Sequence, residues 1–199
     1  MSSYEVLAAV SEALRDILWT AYDADPQVRP IVVSKAGIVF LNPTQTAHNS
    51  SNRLSLWLYQ VTENEHVKNQ PMLRAAAPAT EQFPPMALNL FYLVTPFAPT
   101  GEADHLLLGK TLQVLYDNAV ILLQNPLGRI AEELRVIFCR LSLEELTRIW
   151  EALREPYRLS VCYQVRVTRI ASERLVGGAR VVESQSLYQE KAHEKEAVG

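Results

Sequence analysis

The triplet Gly109-Lys110-Thr111, which follows Leu108, is the stretch closest to known chemistry. Gly-Lys-Thr closes a phosphate-binding loop, in which backbone amides of a Gly-rich turn cradle a phosphate chain and the lysine reaches its outer phosphates. That loop needs a second glycine five residues before Gly109. Asp104 stands there instead and brings a repelling charge. The triplet also falls inside a helical pattern rather than at its start, so nucleotide binding is not expected.

The four histidines, His48, His66, His105 and His193, have no paired spacing. His193-Glu194 opens like a zinc-protease motif, but no second histidine follows. Asp104 and His105 are adjacent, yet no serine or cysteine sits in a nucleophile-elbow sequence. Glu63, Glu65 and His66 are metal-ligating types that read as a charged turn after a strand. Cys139 and Cys162 both sit in apolar runs and read as buried free thiols of a reducing compartment. The sequence therefore predicts no catalytic residue, no cofactor and no metal.

What remains is surface chemistry. Residues 158–170 alternate Leu159, Val161, Tyr163, Val165 and Val167 with Ser160, Cys162, Gln164, Arg166 and Thr168, and no acidic residue occurs from Pro156 to Ser172. That pattern predicts a strand with one wet face, on which Gln164 and Arg166 suit an acidic or polar partner, since the guanidinium fork binds carboxylates in pairs. Residues 69–85 contain four prolines and no period. They read as a long irregular loop of the kind that carries function, with Met72, Leu73, Arg74 and Phe83 as candidate contact residues.

The elements that must position these surfaces follow from periodicity. Val6, Leu7, Val10, Leu14, Ile17 and Leu18 predict a helix over 4–22, with Ser2 and Glu5 as a capping box and Pro26 and Pro30 after its end. Short extended runs are expected at 31–33 and 38–41, and a polar loop at 42–52. Strands are expected at 53–62, 87–95 and 134–141, each besides the strand at 158–170. A helix over 103–119 would bury Leu108, Leu112, Leu115 and Ala119. Ser142 and Glu145 form a second capping box, ahead of a helix facing inward through Leu143, Leu146, Ile149, Trp150 and Leu153 and stopped by Pro156. Gly177-Gly178 would turn a hairpin into 180–182. Strands interleaved with three helices make an α+β domain with a mixed or antiparallel sheet, expected as a core over 1–183 with a polar tail over 184–199.

Bulk composition fits. Apolar residues make up 48% of the 199, enough for a core without disulfide or metal, and the net charge of −3 argues against a nucleic-acid binder. Ten arginines lie between Arg129 and Arg180, an arginine bias rather than a basic tail. No apolar run is long enough to span a membrane, and no signal peptide is visible at the N-terminus.

Four stretches carry a family resemblance: 54–64 (LSLWLYQVTEN), 84–96 (PPMALNLFYLVTP), 108–118 (LGKTLQVLYDN) and 141–167 (LSLEELTRIWEALREPYRLSVCYQVRV). In this order and spacing they resemble the core of cap (tail-terminator) proteins of phage-tail-like extracellular contractile injection systems. The last stretch, a helix, a Pro-Tyr-Arg junction and a long strand, is the most specific. The resemblance implies a terminator fold, a hexameric ring of identical subunits, and contact with an inner tube protein and a sheath protein. It implies no active site, no nucleic acid and no membrane insertion. Assembly would take place in the bacterial cytoplasm, as part of a particle that is later released or anchored. The rival readings are a tail-completion protein that joins a phage tail to its head, a small enzyme or ligand-binding module, and a stand-alone adaptor.

Overall fold

A strand that is apolar on both sides must be covered on both sides, and β5 (Met86–Pro96) is that strand. In the computed structural model, which describes residues 3–67, 73–74, 80–82, 84–124, 130–171 and 175–177, β5 lies inside a six-stranded sheet. Its neighbours are β2 (Leu54–Glu63) and β8 (Val161–Ile170), both antiparallel to it. Beyond β8 come β7 (Ile130–Cys139) and the outer strand β6 (Val120–Gln124), and beyond β2 comes β1 (Ile38–Val39), the one parallel neighbour. A second, three-stranded sheet joins β3 (Leu73–Arg74), β4 (Thr80–Gln82) and β9 (Leu175–Gly177). The mixed sheet and its helices make the α+β domain that the sequence predicts.

Helices α1 (Val6–Asp23) and α3 (Gly101–Asp117) pack on one side of the large sheet. Val10, Leu14, Leu18 and Tyr22 of α1 meet Leu90, Tyr92 and Val94 of β5 in one apolar core. Burying a side chain of this size contributes about 1.5–3 kcal/mol. Two buried hydroxyl pairs cross this core: Ser11 Oγ lies 2.9 Å from Tyr92 Oη, and Tyr22 Oη lies 2.6 Å from Thr111 Oγ1. Thr100 caps α3 by accepting from the Ala103 amide, and Ser142 with Glu145 forms the expected capping box on α4 (Leu143–Leu153).

Several expectations need correction. Residues 31–33 form turns rather than a strand, because Asp25 accepts from the Gln27 and Val28 amides and winds the chain up between two prolines. The loop at 42–52 contains a short helix, α2 (Pro43–Ala47), capped by Asn42 with proline at its first turn. Helix α1 begins through a tighter turn at Ser3–Glu5, with no side-chain cap at Glu5, and Ser2 lies outside the described residues. The buried stripe of α3 is Leu107, Leu108, Thr111, Val114 and Leu115, with Ala119 beyond the helix and exposed. On α4 only Trp150 is buried, and Leu143 is 66% exposed. Strand β6 was not expected. The segment at 69–85 contributes β3 and β4, so it is not wholly irregular. The expected turn at Gly178 and the tail over 184–199 lie outside the described residues.

Candidate assembly face

The side of the large sheet turned away from α1 and α3 is set by strand register. Trp57, Leu93, Cys162 and Cys139 form one row across β2, β5, β8 and β7. Gln60, Phe91, Gln164 and Ile137 form the next row, and Arg166 faces Arg135 in the third. Tyr59 follows Trp57 onto this side by alternation, and a bulge between Leu58 and Gln60 adds one residue to β2, so that Gln60 also comes to this side opposite Phe91. Tyr59 then stacks at a tilt against both Trp57 and Phe91, with ring centroids 6.0 and 6.4 Å apart.

Burial is graded across this face. Leu93, Cys162 and Gln164 in its middle are buried, Trp57, Tyr59 and Phe91 are half-buried, and Ile137, Arg135 and Arg166 are exposed. At one end Trp150 of α4 donates its indole N–H to Ser160 Oγ at 3.2 Å, which ties the helix to the chain entering β8. Tyr59 Oη lies 3.2 Å from Cys162 Sγ. Burial pushes the Cys162 thiol up to about 12 and holds the Tyr59 phenol well above its ordinary range. Both are therefore neutral groups at physiological pH.

The charged end is different. Arg135 and Arg166 are direct cross-strand partners, an arrangement that like charges disfavour. Glu133 Oε1 is 3.7 Å from Arg135, while Arg166 has no ion pair among the described residues. Half-buried aromatics beside exposed guanidiniums are the composition of protein interface centres.

Of the residues named from the sequence, Gln164 and Arg166 share this face. Gln164, however, is 7% exposed and lies under its neighbours rather than in water. Ser160, Cys162 and Thr168 are buried too, so the expected wet face of β8 is wet only at Arg166. For Thr168 the reason is a bulge. The register of β8 on β5 shifts between Leu88 and Leu90, so Val165 and Thr168, three residues apart, pair with Leu90 and Leu88 on the helix side. Leu73 and Arg74 form β3 of the second sheet, opposite Gln82 and Glu81 of β4, and are not part of this face. Met72 and Phe83 lie outside the described residues. Sequence reading missed Tyr59, Phe91, Arg135 and the facing cysteines. The one available signal was that neither side of β2 reads as plainly polar.

The Gly-Lys-Thr triplet lies within α3. Lys110 Nζ makes a 3.0 Å ion pair with Asp25, whose carboxyl is held below its ordinary range chiefly by that lysine. Thr111 is buried with its hydroxyl in the core. The open depression beside them, lined by Asp25, Glu102, His105 and Lys110, therefore offers a phosphate one cation that is already paired. Among the described residues no group of three His, Cys, Asp or Glu side chains is placed to hold a metal. Also among the described residues, no helix is long and apolar enough to cross a membrane.

Fold and comparison define the class: residues 9–184 match the family described as the Pvc16 N-terminal domain, and the chain belongs to that family. Its fold is that of the sheath/tube terminator, in the extended state, of the extracellular contractile injection system PVC. That structure aligns with a TM-score of 0.63 at 18% identity, over 94% of this chain and 64% of the other. The tube-terminating cap of the anti-feeding prophage aligns over 68% of this chain and 48% of its own length, at 17% identity and a TM-score of 0.47. This chain thus spans about 64% of the length of the PVC terminator. No curated protein sequence matches it. The family expected from the four sequence stretches is the family found.

Proposed function

We propose that this protein is a structural cap subunit that terminates the inner tube and the sheath of a contractile injection system, six copies closing into a ring. The family match over 9–184 is the observation that carries the reading. The terminator fold and the aromatic and arginine face support it. Ring closure needs a contact in which one patch meets a different patch on the next copy. The face running from Trp57 and Tyr59 to Arg135 and Arg166 supplies one such patch. The function is geometric. A terminator occupies the last tube ring, so that no further subunit adds, and holds the last sheath ring against the tube. The reading assigns no reaction to the chain, no nucleic acid and no insertion into a membrane. The core at 1–183 would form the ring, and the tail at 184–199 would reach the sheath. The chain would assemble in the bacterial cytoplasm.

Electron microscopy of particles from a strain lacking this gene tests the proposal. Overlong or uncapped tubes, or tubes without sheath, are expected. Sheathed particles of normal length would refute it. Deleting Ser184–Gly199 alone is expected to weaken copurification with sheath while leaving capped tubes.

A further inference from the structure

We propose that Cys139 and Cys162 form an oxidation site, a cross-strand dithiol that small-molecule disulfides convert into an intramolecular disulfide between β7 and β8. The two residues are direct partners in the antiparallel register. Directly opposed residues of such a pair have Cα atoms about 4.5–5.5 Å apart, inside the window a disulfide requires. Both side chains stand in the same row of the face away from the helices. Neither is committed elsewhere by a disulfide. Closing the bond therefore needs no movement of one strand past the other.

The two thiols have unequal surroundings. Cys139 is partly exposed, and the Arg166 guanidinium favours its thiolate. Cys162 is 2% exposed beneath Tyr59, whose hydroxyl lies 3.2 Å from its sulfur. Cys139 is thus the thiol that a solution disulfide reaches first. Its thiolate attacks R–S–S–R, forming Cys139–S–S–R and expelling one RS⁻. The Cys162 thiolate then attacks the Cys139 sulfur and expels the second RS⁻. Two electrons pass from the cysteines to the small disulfide, and the two cysteine protons end on the two released thiols. Burial raises both thiols, chiefly that of Cys162. Both steps are therefore slow at neutral pH and quicken as pH rises, because the thiolate is the attacking form. Slow closure makes the site a lock set by prolonged oxidation, rather than a rapid sensor.

Incubating the purified full-length protein with oxidised glutathione at mildly alkaline pH, followed by intact mass and peptide mapping, tests the site. The expected product is lighter than the reduced chain by two hydrogens, carries a linked Cys139–Cys162 peptide pair, and reverts with dithiothreitol. Cys162→Ala should stop at a stable glutathione adduct on Cys139, and Cys139→Ala should leave Cys162 unmodified in the folded protein. Wild-type protein that keeps two free thiols, retains glutathione on both, or links two chains would overturn the proposal without reference to either variant. The result bears on the dithiol alone and is independent of whether the chain caps a tube.

Discussion

Tyr22 of α1 donates its buried hydroxyl hydrogen to Thr111 of α3 across 2.6 Å. The direction follows from the neighbouring bond, because the Thr111 hydroxyl hydrogen is already given to the Leu107 carbonyl at 2.7 Å. Thr111→Val therefore strands a buried phenolic donor, whereas Tyr22→Phe leaves only an unfilled acceptor. The valine variant should cost about 1–3 kcal/mol, the phenylalanine variant less, and the double variant less than their sum. Chemical denaturation of the four proteins measures the cycle; strictly additive costs would contradict the assigned bond.

Alkaline titration should unfold the protein through its tyrosines. Burial pushes the Tyr92 and Tyr163 phenols up to about 12 from an ordinary value of 10.0, and Tyr22 further still. The unfolded chain releases these protons first. The tyrosine contribution to stability is thus intact below pH 10.0 and falls as pH climbs towards about 12. Phenolate absorbance of the buried rings should rise together with the loss of circular dichroism. Phenolate formation well ahead of unfolding would mean the rings are reachable by water.

Helix α4 buries only Trp150, so its end geometry matters more than it would for a core helix. Ser142 accepts from the Glu145 amide at 3.2 Å, and the Glu145 carboxylate accepts from the Ser142 amide at 2.8 Å. Ser142→Ala should cost about 0.5–2 kcal/mol. Ser160→Ala should add a separate loss by leaving the buried Trp150 N–H without its acceptor. Thermal melts of both variants, with α4 followed by hydrogen exchange, check whether the helix loosens before the sheet does.

If the sheet face is a subunit contact, charge reversal at its basic end should break it without unfolding the chain. Arg166 is exposed and unpaired among the described residues, and Arg166→Glu would place a carboxylate opposite Arg135. The monomer should then be no less stable, while ring formation or docking on tubes falls by at least about tenfold, as loss of an interface anchor implies. Light scattering and tube cosedimentation separate the two effects. Normal rings that still dock would show this face to be idle.

Sequence reading reached the long elements because their causes are local. The capping box at Ser142, the strands β2, β5 and β8, and the stop after α1 all announce themselves in periodicity or in a proline. Bulges do not. One extra residue in β2 brings Gln60 onto the side of Trp57 and Tyr59 and turns Val61 towards Leu90, and the shift of β8 against β5 sends Thr168 into the core. Both reverse an alternation that was read as unbroken, and nothing in residue type signals them. Arg135 opposite Arg166, and Cys139 opposite Cys162, are products of register between strands more than twenty residues apart. Strand β6 escaped because Val120, Ile121, Leu122 and Leu123 form an unbroken apolar run directly after α3, and such a run has no period to separate helix from strand.

Strand β6 also governs how the protein behaves on its own. Its outer backbone edge is unpaired among the described residues, Val120 and Leu122 are 51% and 48% exposed, and its five residues include neither a charge nor a proline. Edge strands normally carry lysine, proline or a distortion that repels further pairing; among the described residues this rim carries a register irregularity, at its end between Leu123 and Gln124, which leaves Val120 to Leu123 regular. A preparation of isolated subunits is therefore expected to pair sideways along that regular stretch, and a gain in core stability would not by itself prevent it. Yield should depend on how soon that margin is occupied after synthesis.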